Sequence, residues 1–195
     1  MDTGTVLTEL ENRLPSKRFE HVLRVAETAK ELAGRFGIPV DKAERAALFH
    51  DIAKFMEPSE MRRLIEDNDE DRRLLFFHHE LWHAAAGRII AEKEFGVKDP
   101  DILNAIRYHT TGRAGMSALE KLIYIADLIE PGRSFPGIEE LRKSADLHID
   151  EAMKACIAHS VLYLIERRAA VFPDSIECYN EHVQKIGTSQ LRKET

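Results

Sequence analysis

Ala47-Leu48-Phe49-His50-Asp51-Ile52-Ala53-Lys54 decides how this chain is read. An imidazole and a carboxylate stand side by side in an alanine-rich apolar segment with the character of a helix. Ala43, Ala46, Ala47 and His50 fall at i, i+3, i+4 and i+7, one face of that helix, and the small residues let a second helix approach closely. Lys54 lies four residues beyond His50, which predicts its ammonium on the same face as the imidazole. A buried His-Asp pair without a partner is costly, and a divalent metal satisfies both groups at once. Such a pair also arises by chance, so its meaning depends on what the rest of the chain brings to it.

Working outward, Lys17 to Phe36 carries Val22, Val25, Ala26, Ala29, Leu32, Ala33 and Phe36 at helical spacing, with His21 on the same flank as Val25. Gly37 and Pro39 end that helix, and Asp41 can cap the next. Glu57 to Arg73 is polar, a surface excursion with a short helix after Pro58. From Leu74 an apolar pattern runs to Phe95 and carries His78, His79 and His83. Its first residues, Leu74 to Phe77, suit either the core or the interface of a homodimer. Asp99-Pro100 opens a helix that reaches His109, and Thr110-Thr111-Gly112 breaks it. Ser117 and Glu120 form a capping box for Leu119 to Glu130, where Ile125, Ala126, Leu128 and Ile129 surround Asp127. Further helices are predicted at Ile138–Ala145 and Asp150–Arg168, then a loop at Ala170–Ser175 and a final helical turn at Tyr179–Ile186. No strand pattern and no repeat appears. The expectation is an all-α, single-domain helical bundle over residues 13–182, with 183–195 as a frayed tail.

The 195 residues suffice for one sizeable core, and 44% hydrophobic with 32% charged residues is an ordinary globular balance. A net charge of −6 with no Lys/Arg block argues against tight sequence-independent nucleic-acid binding. Cys156 and Cys178 have no metal-type spacing and read as reduced thiols of a cytoplasmic protein. The polar, acidic residues up to Asn12 do not make a signal peptide, and no run of about 18 apolar residues predicts a membrane span.

Six ionisable residues fall on apolar helical faces or at helix ends: His21, His50, Asp51, His83, His109 and Asp127. All but the dyad come from separate helices, which suits a site built in a bundle core. Their imidazoles and carboxylates favour iron, manganese, zinc, cobalt or magnesium. Any one of the histidines taken alone is more often a hydrogen-bonded core residue than a ligand. Asp127 differs, because a carboxylate among four aliphatic neighbours needs a partner. His79-Glu80-Leu81-Trp82-His83 competes as the H-E-x-x-H pattern of zinc proteases. Its longer form fails at Ala86, where a glycine is required, and it leaves His50, Asp51 and Asp127 unexplained. His83 is therefore assigned to the site, His78 and His79 to the surface or to a supporting position, and His159 to no role.

The order His21, His50-Asp51, His83, His109, Asp127 resembles that of the HD-domain metal-dependent phosphohydrolases. Arg18 to Val22, Leu48 to Lys54, Ala105 to Gly112 and Tyr124 to Arg133 look like the corresponding blocks of the YqeK family, and the likeness extends roughly from Arg13 to His182. Phe49 departs from the commoner leucine, and the lysine of the longer HD motif is present as Lys54. The resemblance implies an all-helical HD-type bundle that cleaves dinucleoside tetraphosphates symmetrically, diadenosine tetraphosphate giving two ADP. It implies a divalent metal on His21, His50, Asp51 and Asp127, iron first, with manganese, cobalt, zinc or magnesium as alternatives. His83 and His109 would hold a second metal or contact phosphate, and with Asp51 and Lys54 would form the catalytic group. Arg18, Lys54, Thr110 and Arg133 would surround the nucleotide. Ala170, Val171, Phe172, Pro173, Asp174 and Ser175 would lie against the base or ribose. Two other readings stay open: a different HD-type phosphohydrolase, acting on a nucleoside monophosphate, a cyclic dinucleotide or an alarmone, or a non-catalytic nucleotide-binding helical module.

Overall fold

The computed structural model describes residues 3–190, with side chains to 184. Its helices are α1 (Thr3–Arg13), α2 (Ser16–Phe36), α3 (Val40–Phe49), α4 (Pro58–Asp67), α5 (Trp82–Lys93), α6 (Pro100–Tyr108), α7 (Ala118–Ile129), α8 (Ile138–Ala145), α9 (Ile149–Glu166) and α10 (Pro173–Gln190). No strand occurs among the described residues. The all-α bundle read from the sequence is therefore the observed one.

α7 is the hub. Leu119, Leu122, Ile123, Tyr124, Ile125, Ala126 and Ile129 are all buried along it, and it packs on α2, α3, α6 and α9. The capping box on Ser117 and Glu120 forms as the sequence predicts. α2 lies along α3 and α7, and the alanines at 43, 46 and 47 are wholly buried where helices meet closely. α5 and α6 pair and complete the ring of helices around the site.

Four expectations change. First, the helix carrying the dyad ends at Phe49. Residues 50–56 form consecutive tight turns, with Ile52 N bonded to Phe49 O, Lys54 N to Asp51 O and Met56 N to Ala53 O. The cause is local: His50 Nδ1 donates to Ala47 O at 2.6 Å and occupies the carbonyl that the next helical turn would use. Lys54 is thus not one helical turn above His50. Second, the apolar pattern from Leu74 to Phe95 is divided among several elements. It contains 3₁₀ turns at Arg72–Phe76 and His79–Leu81 before α5 begins. Leu74 is buried, its carbonyl accepting from Trp82 Nε1, and Phe77 packs edge-on against Phe172, so both belong to the core. Phe76 alone of the four is strongly exposed, at 87%.

Third, α1 belongs to the same core, through Val6 and Leu10, followed by Leu14. Apolar residues ahead of residue 13 thus contribute to the same core. Two apolar residues one helical turn apart among polar ones gave too weak a period to register. Fourth, one helix, α10, replaces the expected loop end and short turn, with Pro173 at its first position. It extends to Gln190 through part of the expected tail, while residues 191–195 lie outside the described residues.

Cys156 and Cys178 are free and buried, and burial pushes both thiols up to about 12. Gly112, after α6, has φ +62°, and a Cβ there would lie 2.9 Å from Cys178 Sγ. Gly112→Ala is expected to destabilise the fold by about 1–3 kcal/mol, from left-handed backbone strain plus steric overlap. Adding Cys178→Ala should recover only the overlap. Urea unfolding of both variants checks this, and a wild-type midpoint for Gly112→Ala would contradict the packing described.

Candidate metal centre

α2 presents His21, the turn after α3 presents His50 and Asp51, α5 presents His83, the end of α6 presents His109, and α7 presents Asp127. These six meet. His21 Nε2 lies 3.0 Å from Asp127 Oδ1 and 3.7 Å from Asp51 Oδ2. His50 Nε2 lies 3.4 Å from Asp51 Oδ2 and 3.9 Å from Asp127 Oδ1. The other oxygen of Asp51 faces the opposite way, 3.1 Å from His83 Nε2 and 3.9 Å from His109 Nε2, and those two nitrogens are 3.1 Å apart. Asp51 therefore bridges two donor clusters.

The tautomers follow from the partners. His50, His83 and His109 each direct Nδ1 at the carbonyl three residues earlier, on Ala47, Glu80 and Ile106, at 2.6–2.7 Å. A carbonyl only accepts, so Nδ1 carries the proton and Nε2 presents a lone pair. These lone pairs point at one another and at carboxylate oxygens. Nε2 of His21 and of His50 are buried without a hydrogen-bond partner, although carboxylates stand within 3.0–3.4 Å: the distances are short but the directions converge. Metal bonds of about 2.0–2.2 Å would place adjacent donors roughly 3–3.5 Å apart, close to what is seen. His21, His50 and Asp127 form one group able to hold a metal ion, and His50, Asp51 and His109 another. The donor set fits a divalent transition metal.

The two carboxylates raise His50 against its burial, an attraction for positive charge that a metal ion on Nε2 would answer in place of a proton. Burial opposes ionisation of Asp51, but His50 and His83 outweigh it and hold the carboxyl well below its ordinary range. Asp127 is likewise lowered against its burial, by His21, His50 and Arg133. Burial, with His50 and His83, pushes His109 down to about 3. His109 is therefore a neutral lone-pair donor at neutral pH rather than a cation for phosphate.

One supporting residue carries no role in the sequence reading. Glu130, only 1% exposed, accepts from His21 Nδ1 at 3.1 Å, Arg24 Nε at 2.6 Å and Gly132 N at 2.5 Å. It orients His21 in the carboxylate–histidine manner common around metals. A Cβ at Gly132 would lie 2.5 Å from Arg24 Nε, so a side chain there would push the guanidinium off its bond to Glu130. The available signal was the acid itself: a carboxylate at a helix C-terminus opposes the helix dipole and calls for compensation.

The cations line the rim. Arg18 Nη1 bonds Asp51 Oδ2 at 2.8 Å, and Arg133 Nη2 bonds Asp127 Oδ1 at 2.6 Å. Lys54 Nζ is held by Glu80 Oε2 at 2.5 Å. Thr110 Oγ1 is buried and unpartnered. A cavity of about 100 Å³ lies beside Lys54, Glu80 and His83, and one of about 860 Å³ opens beside Thr110 and Arg133. His79 stacks on His78 instead of joining His83, and Glu80 is engaged by Lys54, so the protease pattern is not assembled. In the 170–175 segment Ala170 and Pro173 are exposed and Val171 is half-buried, while Phe172, Asp174 and Ser175 are buried. Asp174 is tied to Arg73. The segment follows Arg167, which lines the larger cavity, but does not itself line it.

The HD domain family matches residues 18–132. The chain is 44% identical over 180 residues to a symmetrical bis(5'-nucleosyl)-tetraphosphatase of Bacillus subtilis, covering 92% of this chain and 97% of that one. A protein so described from Staphylococcus aureus is 38% identical, across 86% of this chain and 88% of the other. A crystal structure from Clostridium acetobutylicum, described as a predicted HD superfamily hydrolase involved in NAD metabolism, superposes with a TM-score of 0.91 at 37% identity. It covers 95% of this chain and 98% of that one.

Glu130→Gln keeps the shape but removes the charge behind His21. It is expected to weaken metal binding by about 10–100-fold, the usual cost of losing an outer-shell partner, with helical content unchanged. Chelator competition measures this; unaltered metal affinity would show that Glu130 does not tune His21.

Proposed function

The chain belongs to the HD domain family, and from that premise we propose that it is a metal-dependent phosphohydrolase that splits dinucleoside tetraphosphates symmetrically, diadenosine tetraphosphate giving two ADP. The observation that carries this reading is the convergence of Nε2 lone pairs from His21, His50, His83 and His109 on the carboxylates of Asp51 and Asp127. The relatives described as symmetrical tetraphosphatases support the substrate class.

A divalent metal held by His21, His50, Asp51 and Asp127 would supply an activated water and polarise a phosphoryl oxygen. We take that metal to be iron, the resemblance drawn from the sequence favouring it over manganese, cobalt, zinc or magnesium. The facing Nε2 atoms of His83 and His109 and the second oxygen of Asp51 suit a second cation better than a direct ionic grip on phosphate. Asp51 holds the reacting water in line. Arg18, Lys54 and Arg133 oppose charge on the phosphates, and Thr110 offers its free hydroxyl to one of their oxygens. Water attacks one of the two central phosphorus atoms, and the oxygen bridging them departs with the other half, so each half leaves as a nucleoside diphosphate. The 170–175 segment follows Arg167 but stands outside the large cavity, so its part here is to join α9 to α10 beside the nucleotide site rather than to line it.

No helix among the described residues is long and apolar enough to cross a membrane. Action on a small nucleotide in the cytoplasm is part of the same proposal. So is a homodimer, with the exposed Phe76 ring as its support.

Asp51→Ala should lose both metal and hydrolysis while keeping its helical circular dichroism. Metal analysis with product chromatography tests this, and turnover by a metal-free Asp51→Ala protein would end the proposal. Lys54→Ala should lower kcat/KM by roughly a hundred-fold, as expected on removing one charge-stabilising donor, with metal content unchanged. Parallel loss of metal would make Lys54 structural instead.

A further inference from the structure

Glu80, in the middle of the H-E-x-x-H stretch, touches both sides of the site. Its Oε2 holds Lys54 Nζ at 2.5 Å, and its backbone carbonyl accepts from His83 Nδ1 at 2.6 Å. The side chain thus reaches the lysine that follows the dyad, and the main chain aims a donor of the second cluster. The 3₁₀ turn that carries Glu80 is fixed from several directions. Glu80 N donates to His78 Nδ1 at 3.2 Å, Leu81 N to His78 O at 3.0 Å and Trp82 Nε1 to Leu74 O at 2.8 Å. The Arg62 guanidinium covers the Trp82 ring at 5.1 Å. Lys54, by contrast, stands in the irregular turns after α3, on a flexible four-carbon stem. The Glu80 side chain is 56% exposed, and an ion pair in such a place adds little to folding stability. What the pair fixes is the place of the ammonium.

We propose that Glu80 is a positioning residue, whose carboxylate holds the Lys54 ammonium at the edge of the metal centre, aimed to oppose charge on the phosphate chain. The proposal rests on the phosphohydrolase reading and goes beyond it in naming the residue that aims Lys54. An ammonium has three N–H donors, so one bond to Glu80 leaves two for phosphate oxygens. A donor already in place when charge develops lowers the barrier, whereas one that must first be ordered gives part of that gain back. The cavity of about 100 Å³ is lined by Lys54, Glu80 and His83 together, so the held ammonium and a ring of the second donor cluster border one space. Glu80 acts through Lys54 and touches no reacting atom. The pattern that matches a protease motif thus has a different use here: one residue yokes Lys54 to His83.

A double-mutant cycle on the metal-loaded full chain tests this. Glu80→Ala should lower kcat for diadenosine tetraphosphate about ten-fold and change KM much less, with metal content and helical circular dichroism unchanged. Glu80→Gln, whose amide oxygen still accepts from Nζ, should recover most of that loss. In a Lys54→Ala background, Glu80→Ala should change kcat by less than about two-fold, because the group it positions is gone. Equal losses in the two backgrounds, or loss of metal in Glu80→Ala, would give Glu80 a structural role and overturn the proposal. Unchanged or higher kcat in Glu80→Ala would overturn it too, the carboxylate then being idle or a competitor for Lys54. Competitive acetylation read by mass spectrometry reports the hold without turnover. Labelling of Lys54 should rise roughly three-fold or more in Glu80→Ala relative to the other lysines, and an unchanged rate would overturn the proposal. That rise in a protein that cleaves no dinucleoside tetraphosphate would refute the activity and uphold Glu80 as the residue that positions Lys54.

Discussion

Lone pairs that face one another are the constraint on which this molecule depends. Three imidazoles spend their Nδ1 protons on the carbonyl three residues earlier, and His21 turns Nδ1 to Glu130, so four Nε2 atoms point into one small space shared with Asp51 and Asp127. Uncompensated, such a cluster is repulsive and its burial costly. A divalent cation reverses the sign of nearly every contact in it. The bundle then becomes the frame that holds six donors from five helical segments at fixed separations.

The frame works through small devices repeated at helix ends. His50 and His109 each follow the last residue of a helix, and each binds a carbonyl that another helical turn would have used. The same bond stops the helix, fixes the tautomer and aims the ring. α7, packed among four other helices, carries Asp127 into the cluster and ends at Glu130, which reaches back to His21. Arg24 and Gly132 then hold Glu130, and Arg142 caps the freed carbonyls of Ile129 and Glu130. Folding and site geometry are thus one set of interactions.

The helical class and the six donors were legible because apolar periodicity and acids or imidazoles in apolar surroundings are local signals. Asp127 shows this best, since four aliphatic neighbours betray its setting. The end of α3 at Phe49 was not legible: the break comes from a side chain taking its own helix's carbonyl, and alanine-rich propensity argues the other way. Glu130 was missed because its work is with His21 and Arg24, more than a hundred residues distant in sequence. The bond from Lys54 to Glu80 was hidden for a like reason, as it forms only where the turns after α3 meet the turn before α5.

Anomalous diffraction at the metal edge, on crystals of protein loaded with iron without oxygen, tests the central claim most directly. The result expected is an anomalous peak bonded to Nε2 of His21 and His50 and to the carboxylates of Asp51 and Asp127. A peak at any other place, or none together with ordered water on those four side chains, would contradict the metal centre described.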